Sequence, residues 1–164
     1  LPVMRNTSVV IAQHMVDGFL ESFAQNLQHS AHNDVSIVNK KISLRGAEIY
    51  VCEGETEVQQ ENGTFVFVHS DSAKHGYNPN INTLFNSFLT LAHKVEILAV
   101  ILTGIGDDGV EACVNLSKNS ARCITETSKS AIVDGMPGRA RVMVPDIEAY
   151  DIKTIVNIIS GFCE

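Results

Sequence analysis

The residues best suited to chemistry lie in the glycine-rich stretch at positions 102–109, Leu-Thr-Gly-Ile-Gly-Asp-Asp-Gly. Three glycines there, between a predicted strand and a predicted helix, fit the Gly-x-Gly-x-x-Gly pattern of dinucleotide-binding loops: Gly104, Gly106 and Gly109. Glu126, at the end of the next predicted strand, lies near where such a loop needs a ribose-binding carboxylate. The pattern by itself therefore allows a nucleotide-binding module.

Two carboxylates in this loop indicate a different use. Asp107 and Asp108 would repel a diphosphate at the helix start, although one of them could simply cap that helix. A carboxylate at the carboxyl end of a strand can also orient a catalytic histidine, and His14 directly follows the first predicted strand. A lone histidine in such a place is more often a solvated or packing residue. If the two strands are parallel and near neighbours, however, His14 and Asp108 converge at the ligand-binding edge of the sheet.

The remaining histidines and the cysteines do not have the spacing of metal ligands, so we predict no metal site. The four cysteines are widely spread and are expected to be buried free thiols of an intracellular protein: Cys52, Cys113, Cys123 and Cys163. Three histidines have the position of helix-end residues: His29, His32 and His93. His69 and His75 flank a polar loop that could border a substrate groove.

The elements that must position these residues alternate between strands and helices. Strands are predicted at 7–12, 35–38, 47–52, 57–60, 64–69, 95–102 and 122–125, and helices at 17–27, 81–93, 108–118 and 147–162. The segment 95–102 is almost continuously apolar, as expected of a central parallel strand. Asn62-Gly63, between two strands, is a strong hairpin signal. Together these patterns predict an α/β sheet with a β-hairpin insertion.

The whole chain has the composition of one globular domain, and no linker divides it. Its 164 residues are 45% hydrophobic, enough for a sizeable core, and no apolar run is long enough to span a bilayer. The net charge of -7 argues against binding to nucleic acid or to an anionic membrane surface. Because the first residue is Leu1 and no signal peptide is visible, we expect a piece of a longer cytoplasmic protein.

Four segments carry a resemblance to a known family. They read Val-Ile-Ala-Gln-His-Met-Val-Asp-Gly-Phe at 10–19, Asn-Ile-Asn-Thr-Leu-Phe at 80–85, Leu-Thr-Gly-Ile-Gly-Asp-Asp-Gly at 102–109 and Gly-Met-Pro at 135–137. In order and spacing, over roughly residues 1–160, they resemble the catalytic domain of the CheB-type chemotaxis protein-glutamate methylesterases. The resemblance implies a three-layer, doubly wound, mostly parallel sheet, with residues 1–164 forming a methylesterase catalytic domain.

The resemblance also assigns roles by position. It makes His14 the general base, Asp108 the carboxylate that orients His14, and the backbone N–H of Ile105, where the family usually has Met, part of the oxyanion hole. The implied reaction is hydrolysis of glutamate γ-methyl esters on the cytoplasmic helices of chemoreceptors, which serves adaptation in chemotactic signal transduction. Family members often deamidate receptor glutamines as well, and the reaction needs no cofactor.

The family's nucleophile has no counterpart among these residues. It is a Ser in a Gly-Ala-Ser-Thr-Gly-Gly turn that precedes the histidine, and only thirteen residues precede His14. Ser8 is unsuitable, because it opens the strand that leads to His14 and lies about 20 Å from it along an extended chain. We therefore expect the domain to lack its first strand, turn and helix, and this chain alone to be inactive.

Other departures from the family pattern concern the rim of the site: Cys52-Glu53-Gly54, Asn80, Asn82 and Asp134. Two alternatives to an esterase stay open, a nucleotide-binding module that uses Gly104–Gly109 and a non-catalytic domain that only docks on chemoreceptors. An α/β-hydrolase of small esters is less suitable, because no Gly-x-Ser-x-Gly elbow is present.

Overall fold

Short apolar runs and amphipathic stretches alternate along the chain and fold as strands and helices. The computed structural model describes residues 2–16, 18–70 and 76–164. The chain divides into two compact units, Leu1–Asn80 with Cys163–Glu164 and Ile81–Phe162. Both units contain parallel strands and helices, so the predicted α/β class is confirmed. Within the described residues, no helix has both the length and the apolar character needed to cross a membrane.

The first unit combines a parallel sheet with an antiparallel one. Its elements are β1 (Val9–Ile11), α1 (Leu20–Ser30), β2 (Asp34–Val38), β3 (Ile42–Ser43), β4 (Glu48–Cys52), β5 (Glu55–Glu61) and β6 (Thr64–Ser70). Strands β1, β4 and β2 form the parallel sheet in that order, and β3, β6 and β5 form the antiparallel sheet. The central strand β4 is the most buried, because four consecutive residues, Ile49 to Cys52, are at most 1% exposed.

The second unit is built around one parallel sheet. Its elements are α2 (Ile81–Ser87), a 3-10 turn (Phe88–Thr90), β7 (Leu98–Ile101), α3 (Val110–Lys118), β8 (Arg122–Glu126), α4 (Gly135–Met143), β9 (Glu148–Tyr150) and α5 (Ile152–Cys163). The strand order is β7-β8-β9, and all pairs are parallel. The middle position thus belongs to β8, whereas the sequence pattern favoured the segment 95–102 as the central strand.

The predicted hairpin is confirmed. Strands β5 and β6 pair antiparallel, with Glu61 opposite Thr64, so that Asn62 and Gly63 form a two-residue turn. Both turn residues have positive φ, 48° and 82°, as a type I′ turn requires. Asn and Gly adopt a positive φ at low energetic cost, which explains why these two residues alone were enough to predict the turn.

Three helix predictions need correction. The helix predicted over 147–162 is wrong at its start, because Glu148–Tyr150 pairs with β8 and α5 begins only at Ile152. Asp151 fixes that boundary, since its carboxylate accepts the Thr154 N–H at 2.9 Å and so caps α5. The helix predicted over 81–93 ends in a 3-10 turn after residue 87, and α4 was not predicted at all. The helix predicted over 17–27 is α1, which begins later, at Leu20, and ends later, at Ser30, and residue 17 lies outside the described residues.

All four cysteines are buried free thiols, as predicted. Burial raises the pKa of the Cys52 thiol to about 12. The Cys123 thiol lies against α3, with its Sγ 3.6 Å from the Cys113 carbonyl oxygen to which it donates. These thiols therefore act as small apolar core residues.

Gly109 joins the glycine-rich loop to α3, and its backbone has φ +86°. A Cβ at this position would lie 2.5 Å from Ile81 Cγ2 and 3.2 Å from Ile81 Cβ. Ile81 is itself the first residue of α2. Gly109 is thus required both by its left-handed backbone and by the close approach of α2.

We expect Gly109→Ala to lower the free energy of unfolding by about 2–4 kcal/mol, because a side chain there is strained and overlaps Ile81. Gly161→Ala is the matched control, since Gly161 lies in α5 with no atom within 4 Å of the added Cβ. It should raise stability by about 0.5–1 kcal/mol. Urea unfolding of both variants measures the difference, and a Gly109→Ala protein as stable as the parent would contradict this account.

Candidate functional site

His14 lies three residues beyond the carboxyl end of β1, as the sequence predicted. Its imidazole stacks on the ring of Tyr77, with ring centroids 5.0 Å apart and planes inclined by 11°. Stacking of this kind restricts rotation of the imidazole about its side-chain bonds. Ser8 is committed elsewhere, since its hydroxyl donates to the Arg45 carbonyl at 2.7 Å. Within the first unit, the stacking on Tyr77 thus gives the His14 ring a defined orientation.

Tyr77 was not identified from the sequence, because its position depends on contacts distant along the chain. The segment that carries it is attached to the turn after β4, where the Gly54 N–H donates to Asn78 Oδ1 at 2.9 Å. The Asn80 N–H donates back to the Gly54 carbonyl at 3.4 Å. His69 lies under the same turn, with its Nδ1 2.9 Å from the Glu53 carbonyl oxygen. His69 thus supports the turn, whereas His75 and the polar loop beside it lie outside the described residues.

Asp108 is the most buried carboxylate of the glycine-rich loop, at 1% exposure. Its Oδ2 accepts the Ile81 N–H at 2.8 Å, and its Oδ1 accepts the Asn82 N–H at 3.0 Å. The carboxylate therefore caps α2. The helix that follows the loop, α3, begins at Val110 with Gly109 as its N-cap residue, so neither Asp107 nor Asp108 holds the N-cap position that the sequence allowed.

The cap of α3 comes from the other helix. Asn82 Oδ1, in the first turn of α2, accepts the Ala112 N–H of α3 at 3.0 Å. The two helices thus exchange side-chain caps, Asp108 to α2 and Asn82 to α3. This exchange holds the Gly109 end of the loop in one position and satisfies a buried charge with two backbone donors.

Ile105 is 79% exposed at the tip of the same loop. Among the residues that the structure describes, none accepts a hydrogen bond from the backbone N–H of Ile105 or Gly106. The preceding Gly104 is fully engaged, because its N–H donates to the Val133 carbonyl at 3.0 Å and its own carbonyl accepts the Met136 N–H at 2.9 Å. The loop therefore offers two adjacent free N–H donors next to a fixed peptide, an arrangement suited to a developing oxyanion.

The features that suggested a nucleotide loop are used within the protein. A Cβ at Gly104 would lie 2.5 Å from Met136 Sδ, so this glycine allows close packing against α4. The Glu126 carboxylate, considered as a ribose ligand, accepts the Thr103 N–H at 2.7 Å and the Ser130 hydroxyl at 2.8 Å. In the part of the chain that the structure describes, no group of three or more His, Cys, Asp or Glu residues could hold a metal ion.

The predicted site residues divide between the two units. His14 belongs to the first unit, and Ile105 and Asp108 belong to the second, on one loop. The roles assigned to His14, Asp108 and Ile105, including the pairing of His14 with Asp108, stay predictions from the sequence.

Comparison with known proteins supports the resemblance over almost the whole chain. The CheB methylesterase family model matches residues 1–159. A protein-glutamate methylesterase/protein-glutamine glutaminase of Caldanaerobacter subterraneus subsp. tengcongensis is 29% identical over 163 residues, which cover 93% of this chain and 44% of that protein. Another with this name, number 2 of Carboxydothermus hydrogenoformans, is 32% identical over 145 residues, 85% of this chain and 41% of that protein. The chain thus spans about two fifths of the length of these relatives.

The fold agrees with these matches. The crystal structure of the Thermotoga maritima CheB methylesterase catalytic domain superposes with a TM-score of 0.86, covering 98% of this chain and 86% of that one at 24% sequence identity. At that identity the superposition establishes the fold alone, and the family model establishes the kinship. With residues 1–159 matched, the chain belongs to the CheB methylesterase family.

Proposed function

We propose that this chain is part of a protein-glutamate methylesterase that hydrolyses glutamate γ-methyl esters on the cytoplasmic helices of chemoreceptors. The observation that carries the proposal is the family match over residues 1–159. The relatives are named protein-glutamate methylesterase/protein-glutamine glutaminase, so receptor glutamine amides are the second substrate class. Such substrates place the reaction in the cytoplasm.

In the proposed reaction, a Ser encoded upstream of Leu1 is the nucleophile. His14 accepts the Ser hydroxyl proton as the oxygen attacks the ester carbonyl, and then delivers that proton to the departing methoxide. Methanol leaves, and an acyl-Ser remains. His14 next takes a proton from water, whose oxygen attacks the acyl group to release the free glutamate carboxylate and the Ser hydroxyl. A glutamine amide reacts in the same way and releases ammonia.

The roles of the other two residues follow the family pattern. Asp108 supplies the carboxylate that fixes the imidazole tautomer of His14. The Ile105 N–H donates to the oxyanion of both tetrahedral intermediates. The free N–H groups of Ile105 and Gly106 and the stacked ring of His14 support this assignment.

Replacing His14 should remove the activity. We expect His14→Ala in the protein with its upstream sequence to lower methanol release from methylated receptor by about 10²–10⁴-fold, because no base then activates the nucleophile. His29→Ala is the control, since His29 lies in the last turn of α1 and should leave the rate unchanged. Methanol release that survives His14→Ala would overturn the proposal. Receptor binding without methanol release in any variant would favour a non-catalytic docking domain.

Asp108 and its exposed neighbour Asp107 give a second matched pair. Asp108→Asn should lower the free energy of unfolding by about 1–3 kcal/mol, because an amide group cannot accept both N–H groups of α2. It should also lower the rate of methanol release by about 10³–10⁴-fold. Asp107→Asn should leave both quantities unchanged. If Asp108→Asn lost stability but kept the full rate, Asp108 would be a helix cap without a catalytic role.

A nucleotide should not bind to the Gly104–Gly109 loop. The Ala112 N–H at the start of α3 is already bonded to Asn82, and two carboxylates, Asp107 and Asp108, lie at the same helix start. Calorimetric titration with NAD and with ADP should give no heat beyond dilution. A saturable heat that disappears in a loop variant would favour the nucleotide-binding alternative.

A further inference from the structure

Glu126 is a buried carboxylate, 3% exposed, at the last position of β8. Its Oε2 accepts the Thr103 N–H at 2.7 Å, and its Oε1 accepts the Ser130 hydroxyl at 2.8 Å. Within the described residues, no Lys, Arg or His side chain forms an ion pair with it. Burying a carboxylate with only two hydrogen bonds is energetically costly, so a glutamate at this position calls for a specific role.

The bond to Thr103 places Glu126 directly beneath the glycine-rich loop. Thr103 is two residues before Ile105, and the strand β7 ends at Ile101, so Thr103 is where the backbone leaves the sheet. The opposite side of the same residue is held by Val133, whose N–H donates to Thr103 Oγ1 at 2.7 Å. Gly104 is bonded to Val133 and Met136 as described above. The backbone that leads to the Ile105 N–H is thus held between the segment 133–136 and the Glu126 carboxylate.

Glu126 is itself fixed in place. Its main-chain carbonyl accepts Arg141 Nη1 at 2.6 Å, and Arg141 also pairs with Asp134 at 2.6 Å. Ser130 is oriented in turn by the Ile152 N–H, which donates to its Oγ at 3.0 Å. Glu126 therefore connects the loop to α4 through its main-chain carbonyl and Arg141, and to α5 through its carboxylate and Ser130.

We propose that Glu126 is a positioning residue that sets the direction of the Ile105 backbone N–H through Thr103. The inference rests on the proposed function for its catalytic consequence. A displacement of Thr103 moves the peptide planes that follow it. An oxyanion donor that is poorly aligned then stabilises the transition state less, relative to the ground state, and the reaction slows. The carboxylate acts by holding the backbone in position. Its negative charge by itself would disfavour an oxyanion at the nearby Ile105 N–H.

Two substitutions separate geometry from charge. Glu126→Gln keeps an oxygen for the Thr103 N–H and offers an amide N–H to Ser130 Oγ, while it removes the charge. Glu126→Ala removes both bonds and leaves the Thr103 N–H unpaired. Ser130→Ala is a milder variant that removes one of the two partners of the carboxylate. Glu148→Ala is the control, because Glu148 is an exposed carboxylate of β9 paired with Arg122.

The experiment measures methanol release from methylated receptor by the protein with its upstream sequence. We expect Glu126→Ala to lower kcat by about 10–100-fold with little change in KM, and Ser130→Ala to lower kcat less. Glu126→Gln should keep kcat at or above that of the parent, and Glu148→Ala should leave it unchanged. A rate for Glu126→Ala equal to that of the parent, or one for Glu126→Gln as low as that of Glu126→Ala, would overturn the inference.

Amide hydrogen exchange of Thr103 and Gly104, whose N–H groups are both hydrogen-bonded, provides a readout that does not depend on activity. Exchange should accelerate in Glu126→Ala and match the parent in Glu126→Gln; equal protection in all three proteins would overturn the positioning role. If neither the parent nor His14→Ala releases methanol, the proposed function is wrong, and so is the predicted effect of Glu126 on kcat. Exchange then still decides whether Glu126 positions the loop.

Discussion

The exchange of caps between α2 and α3 is the interaction on which the glycine-rich loop of the second unit depends. Asp108 accepts two N–H groups at the start of α2, and Asn82 in α2 accepts an N–H at the start of α3. The first turn of α2 thereby donates to a side chain that precedes α3, and the first turn of α3 donates to a side chain of α2. Gly109 allows this arrangement because it leaves room for Ile81 at the point of closest approach. The position of the loop is therefore determined by two helix ends as much as by the strand before it.

The same exchange explains why a Gly-x-Gly-x-x-Gly sequence is compatible with two kinds of chemistry. In a nucleotide-binding loop the free donors lie at the helix start and face a phosphate. Here a side-chain amide covers the helix start, and the free donors are at Ile105 and Gly106, four to five residues before the first residue of α3. The glycines of the motif determine where the backbone can bend. The neighbouring side chains determine which backbone N–H groups stay free to bind a ligand.

Local sequence signals predicted the elements that depend on local physics. Propensity and periodicity were enough to predict the Asn62-Gly63 turn and the buried strand 47–52. They also placed His14 after the first strand and Asp108 in the loop after β7. Helix α4 was not predicted, because Gly-Met-Pro-Gly has little helix propensity and the helix is held by contacts of Arg141 with Asp134 and with the main chain of Glu126 in β8. The contacts of Tyr77 with His14 and of Glu126 with Thr103 join residues 63 and 23 positions apart, and no periodicity encodes such pairs.

The burial of the four thiols has a consequence for chemical durability. Alkylating reagents and peroxides attack the thiolate, and the pKa of Cys52, about 12, leaves almost none of that form at neutral pH while the protein is folded. Reagents must also reach sulfur atoms that the core covers. Oxidation of Cys52 thus requires the surrounding core to open, so a substitution that loosens this core also makes Cys52 more sensitive to oxidants.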